Sequence, residues 1–353
     1  MVDQTARRGL LQRLEEDAVI CAEGYLFELE RRGYLQAGAF VPEVVLEYPE
    51  AVAALHREFL RAGSDVIEAL TYYGHREKLR LIGKEDLLEP LQRNALVLAH
   101  SIASEAEGEP PLVAGNICNT NIWHPDEKKS DDLVRTMFEE QVGWAADARV
   151  DFIIAETFSF LGEAQIALET VKAFDLPVVA TLTLHRDEYL RDDVQIEEAV
   201  KQLEQAGADV VGLNCARGPN TMMPLLKRVR EAVSCHVAAL PVPYRTSKDH
   251  PTMQSLRDPD CGCIPDDRPF PTALDPFTCN RYEIADFAKE AYDLNVRYLG
   301  VCCGGAPHHV RAIAEALGRF PAASRYSPDM SKHYAFGKEA SLKKYNQDNI
   351  KNL

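Results

Sequence analysis

The stretch Tyr298-Leu-Gly-Val-Cys-Cys-Gly-Gly305 sets two thiols, Cys302 and Cys303, side by side where an apolar run meets two glycines. A second apolar run, Val210-Val-Gly-Leu-Asn-Cys215, ends in a third thiol. Three thiolates suit one zinc ion, which is borderline-soft, favours a tetrahedron and, held by three protein ligands, keeps a fourth position open. The chemistry this permits is activation of a sulfur nucleophile. Successive strand side chains point to opposite faces, so Cys302 and Cys303 can share an ion only where the strand has already bent, and Gly304-Gly305 permits that bend. Cys21, Cys118, Cys235 and Cys279 read as small buried apolar side chains. Cys261-Gly-Cys263 lacks a third partner and stays open between a loop metal site and no role.

These thiols need elements that bring residue 215 to residues 302 and 303. Eight apolar runs supply them, at 19–23, 66–72, 112–117, 152–156, 178–184, 210–215, 236–243 and 298–302. Helical patterns alternate with them, among them 50–62, 86–105, 131–147, 196–206 and 281–294. Gly63 and Gly207 read as helix stops, and Pro307 as a first-turn residue. The runs are nearly continuous rather than alternating, as strands covered on both faces are. Eight such units predict an α/β fold, a closed (β/α)8 TIM barrel, over 1–320. A doubly wound open sheet is the alternative, but no glycine-rich phosphate loop follows any strand. A long polar stretch, 244–277, predicts an excursion over the barrel mouth after strand seven. The tail, 321–353, reads as an arm, either a dimer contact or a disordered end.

Chemistry in such a barrel sits at the C-terminal strand ends. Those ends carry Glu23-Gly24, Thr71-Tyr72-Tyr73, Asn116 and Asn119, Glu156-Thr157, Asn214-Cys215 and Cys302-Cys303. Thiols, carboxylates and aromatic rings therefore meet on one rim.

The chain of 353 residues is 46% hydrophobic and carries a formal charge of −16. Nucleic-acid and anionic-membrane surfaces need a basic face, so neither partner is expected. The N-terminal stretch lacks the apolar core of a signal peptide, and no apolar run is long enough to span a bilayer. A cytoplasmic location follows as an expectation, and with it nine cysteines as thiols rather than disulfides.

The residues also resemble a known family, the zinc-dependent homocysteine S-methyltransferases, and in particular its betaine-using branch. The resemblance runs from about residue 9 to about residue 319. It is carried by Leu29-Glu-Arg-Arg-Gly-Tyr34, Pro49-Glu-Ala-Val52, Leu55-His-Arg-Glu-Phe-Leu-Arg-Ala-Gly63, Asn214-Cys215 and Asn295-Val-Arg-Tyr-Leu-Gly-Val-Cys-Cys-Gly304. It implies Zn2+ on Cys215, Cys302 and Cys303, with the sulfur of homocysteine as fourth ligand. It implies a small cationic methyl donor, and methionine as product. Glu156 aligns with a family carboxylate that holds the homocysteine amino group, and Glu23-Gly24 stands near the family's Asp-Gly-Gly. A cationic methyl group calls for an aromatic cage, for which Tyr72, Tyr73 and Phe40 are the candidates; Phe40 aligns with a family tryptophan. A homo-oligomer is compatible with the tail.

Several positions depart from the family. Ala22-Glu23 displaces the strand-one acid by one residue, Gly300-Val-Cys-Cys303 replaces Gly-Gly-Cys-Cys, and Thr157 stands where the betaine enzymes have tyrosine. These changes cluster at the substrate pockets. They leave S-methylmethionine, dimethylsulfoniopropionate or another betaine open as donor, and another thiol open as acceptor. A non-catalytic zinc-binding paralogue is the reading from outside enzymology, with the direction of Glu23 as the discriminating feature.

Overall fold

A computed structural model describes residues 8–185, 188–339 and 341–350. Eight parallel strands close into a barrel in chain order: β1 (Val19–Ala22), β2 (Val66–Glu68), β3 (Leu112–Cys118), β4 (Phe152–Phe158), β5 (Val178–Leu182), β6 (Val210–Asn214), β7 (His236–Leu240) and β8 (Tyr298–Val301). β8 closes on β1 with Ala22 beside Val301. Helices cover the outside, so nearly every strand residue is buried from both faces. That is the physical origin of the continuous apolar runs.

The helices begin and end close to where the pattern puts them, at Pro49–Ala62, Leu88–Ala103, Lys128–Asp147, Ile196–Gln205 and Arg281–Asp293. Gly63 and Gly207 sit at φ 111° and 96°, left-handed stops that only glycine adopts freely. Three strand ends differ from expectation. β2 stops at Glu68 rather than 72, because the Thr71 N–H donates to the Ala69 carbonyl and turns the chain off the ladder. β7 stops at Leu240, ahead of Pro241 and Pro243, which have no N–H to offer a ladder. β4 runs on to Phe158, with an irregular register against β5 between Ala155 and Phe158.

The 244–277 stretch crosses the barrel mouth through three short 3-10 turns, Met253–Ser255, Pro265–Asp267 and Asp275–Phe277. Within it Cys261 and Cys263, expected as thiols, are joined to each other in a disulfide, their Cα atoms 5.3 Å apart. With both sulfurs used, that loop has no thiol left for a metal. The other seven cysteines are free. No helix among the described residues is long and apolar enough to cross a membrane.

Candidate active site

Two strand ends fold back to aim the thiols. β8 ends at Val301, so Cys302 and Cys303 lie past the ladder, and Gly304 takes φ 86° to complete the turn. A Cβ on Gly304 would stand 2.1 Å from the Tyr244 hydroxyl, so no other residue fits. Arg31 donates to that hydroxyl at 2.8 Å, which fixes the brace. β6 ends at Asn214, and Cys215 and Ala216 then adopt φ 56° and 49°. Left-handed backbone outside glycine costs of order 1–3 kcal/mol and persists where a site over-determines it. Tyr73 and the β-branched Thr157, at φ 58° and 62°, share this conformation on the same rim.

The result brings Cys215, Cys302 and Cys303 together, with all three sulfurs within 4.8 Å of one another. A tetrahedral ion of zinc's size, with bonds of about 2.3 Å, holds its sulfurs about 3.8 Å apart. The donor set therefore fits one thiophilic metal with little movement. The thiols already share charge among themselves: hydrogen bonds from Cys302 and Cys303 hold the Cys215 thiol well below its ordinary range and push the other two up.

Below the thiols lies a small chamber of about 10 Å³ lined by Glu23, Tyr25, Leu26, Glu68, Leu70, Tyr72, Glu156, Cys302 and Cys303. Glu23 points into this chamber: one of its carboxylate oxygens, a Glu156 oxygen and the Cys302 sulfur lie within 4.8 Å of one another. The displaced acid of strand one is thus inside the barrel, not in the helix layer. Two asparagines wire the acids together. Asn116 Nδ2 donates to Glu68 Oε1 at 2.8 Å and to Glu156 Oε1 at 2.6 Å. Asn214 Nδ2 donates to Glu156 Oε2 at 2.6 Å and reaches Thr157 Oγ1 at 2.9 Å, Glu23 Oε2 at 3.5 Å and Cys302 Sγ at 3.8 Å. Asn214 Oδ1 accepts the Thr157 N–H at 3.0 Å, which holds the strained residue in place. Burial pushes the Glu156 carboxyl up to about 7, against the opposing pull of its amide donors. Burial, then the charge of Glu156, pushes Glu23 and Glu68 up as well.

Above the thiols a larger cavity, about 190 Å³, opens to solvent. Phe27, Phe40, Tyr72, Tyr73 and Phe270 form its aromatic wall, Cys215 and Cys303 its floor, and Asn119, His185 and Arg191 part of its polar side. The Tyr72 and Tyr73 rings stand 4.4 Å apart, and Phe27 stacks on Phe40 at 5.6 Å. Lys78 Nζ lies 3.8 Å over the Tyr73 ring, so that ring already accepts a cation on one face.

The predicted residues thus divide. Cys215, Cys302, Cys303, Glu23 and Glu156 converge, and Phe40, Tyr72 and Tyr73 line the outer cavity. Gly24 lines neither chamber; its missing Cβ would stand 1.9 Å from the Gly305 carbonyl oxygen, so its place is a close approach of two turns. Cys118, read as apolar filling, accepts the Tyr73 N–H at 3.3 Å and so positions that ring. Sequence reasoning passed over Glu68, Phe27 and Phe270. Glu68 had a signal, a carboxylate inside an apolar run, and it is 2% exposed.

Residues 20–317 match the family model described as homocysteine S-methyltransferase. The chain is 36% identical over 342 residues to S-methylmethionine–homocysteine S-methyltransferase of Pongo abelii, covering 94% of this chain and 87% of that one. It is 37% identical over 337 residues to betaine–homocysteine S-methyltransferase 1 of Danio rerio, covering 91% and 79%. Its fold matches the metallated form of the Escherichia coli homocysteine methyltransferase MmuM with a TM-score of 0.68 at 19% identity, over 86% of this chain and 98% of that one. Together with the barrel and its converging thiols, these matches mean that the chain belongs to the homocysteine S-methyltransferase family.

Proposed function

We propose that this protein moves a methyl group from a small onium donor to the sulfur of homocysteine, giving methionine, with Zn2+ on Cys215, Cys302 and Cys303. The observation that carries this reading is the order of the site: thiols between a carboxylate chamber and an aromatic one. When bound, zinc supplies a substrate thiolate at neutral pH, where a free thiol is mostly protonated.

The chain's own residues do the rest. Glu156 and Glu23 accept the ammonium of homocysteine, and Asn214, which touches both carboxylates and Cys302, keeps amino group and sulfur at a fixed spacing. Tyr72, Tyr73 and Phe40 face the positive charge of the donor, each ring worth about 0.5–2 kcal/mol. The sulfur lone pair forms the new S–CH3 bond as the donor's N–CH3 or S–CH3 bond breaks; the donor keeps that electron pair and leaves neutral at the onium centre. Positioning both partners makes a bimolecular step effectively intramolecular.

The relatives are named for betaine and S-methylmethionine as donors, and both fit an aromatic cage, as dimethylsulfoniopropionate does. A screen of these three with homocysteine, read as methionine by mass spectrometry, tests the proposal; no methionine from any onium donor by the metal-loaded protein would refute it. Homocysteine should also raise the melting temperature of the metal-loaded protein and not of the chelated one.

A further inference from the structure

Glu68 lines the inner chamber but has no role in the reaction derived so far, yet it sits between the two acids that have one. It ends β2, with a carboxylate oxygen within 4.8 Å of one on Glu23, the first residue past β1, and lies across Asn116 from Glu156. Its Oε1 accepts from Asn116, but its Oε2 has no partner; Glu23 Oε1 is unpartnered too. The two side chains are 2% and 7% exposed. A buried carboxylate oxygen left unpaired is costly, and no Lys or Arg among the described residues lines the chamber they face. The chamber's roughly 10 Å³ is about the room one water-sized group needs. An ammonium head is of that size and brings three N–H donors and no acceptor. The chamber shares Cys302 and Cys303 with the thiol cluster, so a head held there is a short carbon chain away from a sulfur at the cluster.

We propose that Glu68 is a third acid of the acceptor site and its specificity residue: with Glu23 and Glu156 it grips the ammonium of an aminothiol and discriminates against thiols that lack one. This rests on the methyl-transfer reading and sharpens it. Three carboxylates from β1, β2 and β4 meet the three N–H groups from three sides. A neutral or anionic thiol leaves them unpaired, which is the asymmetry that makes buried polar sites selective.

The test is direct binding, by calorimetry on the metal-loaded protein, of homocysteine and of 4-mercaptobutyrate, which is homocysteine without its amino group. In Glu68→Gln the homocysteine Kd should rise about tenfold, the usual scale for a charged hydrogen bond, and the 4-mercaptobutyrate Kd should stay level or fall. The unliganded variant should also melt higher than wild type, because one of three mutually repelling buried acids is gone. Glu68→Asp, which keeps the charge and shortens its reach, should fall between the two in homocysteine affinity, and it carries the test if the glutamine variant does not fold. An unchanged homocysteine Kd, or equal weakening of both thiols, overturns the proposal and leaves the methyl-transfer reading standing. Wild-type protein that binds neither thiol overturns both.

Discussion

The two chambers on either side of the thiols are built from different material. The inner one takes its acids and amides from strands or the first residue beyond them: Glu23, Glu68, Asn116, Glu156 and Asn214. The outer one takes its wall from segments between strands: Phe27 from the helix after β1, Phe40 from the loop beyond it, Tyr72 (which lines both chambers) and Tyr73 from the turn after β2, and Met253 and Phe270 from the stretch after β7. Strands locked in a closed ladder cannot shift their backbone without moving the register. Loops can. On the proposed reading, the half of the site assigned to the acceptor is therefore fixed by the barrel, and the half assigned to the donor is free to vary on the same frame. That matches a family whose named members share homocysteine and differ in donor.

The division can be broken at its shared floor first. Cys215→Ala removes one of the three proposed metal ligands, and both metal content and methionine formation should collapse, the latter by about a thousandfold or more. Undiminished metal by mass spectrometry would remove the ligand set. Glu156→Gln keeps shape and loses charge at the centre of the inner chamber. It should lower kcat/KM for homocysteine about 10- to 100-fold, the worth of a charged hydrogen bond, and leave the donor KM level. Tyr73→Ala should do the converse, weakening the donor about 3- to 30-fold by the loss of one cation–π face, with homocysteine affinity held. If Tyr73→Ala hurts homocysteine more than donor, the two chambers do not divide the substrates as stated.

The smallest effect is in pH. The Glu156 carboxyl titrates at about 7 in the native protein against 4.5 for an unperturbed glutamate. The native state then binds the proton more tightly than the unfolded chain does. Its contribution to stability is complete below about 4.5 and disappears as pH rises through about 7. Metal-stripped wild type should lose melting temperature over that window relative to Glu156→Gln. A parallel pair of curves would mean that the inner acids feel less burial than their positions imply.

The same contrast decides what could be read before any coordinates. Strand-end residues were legible because apolar runs stop where chemistry begins: Cys215, Glu156, Glu23 and the Cys302-Cys303 pair all follow from that one rule. The tyrosines after β2 were found for the same reason, although their strand is shorter than the run suggested. Phe27 and Phe270 were not legible, since no periodicity says which way a loop ring turns. Glu68 was missed for a different reason. It lies inside a run that reads as strand to residue 72, so the end of the ladder was put four residues too late and Glu68 read as a mid-strand residue. The Cys261–Cys263 link was missed because compartment was weighed and local geometry was not; two residues apart on a loop, their Cα atoms are close enough to bond without any fold around them.

β7 is hydrogen-bonded between β6 and β8, the strands that lead into Cys215 and into Cys302-Cys303. A metal held by those thiols, as proposed, would work as a clasp over the strand in the middle. Chelation should then speed amide exchange in β7 ahead of β3 and β4, so that the one strand in eight lying between the two thiol-bearing ends reports when the centre is empty.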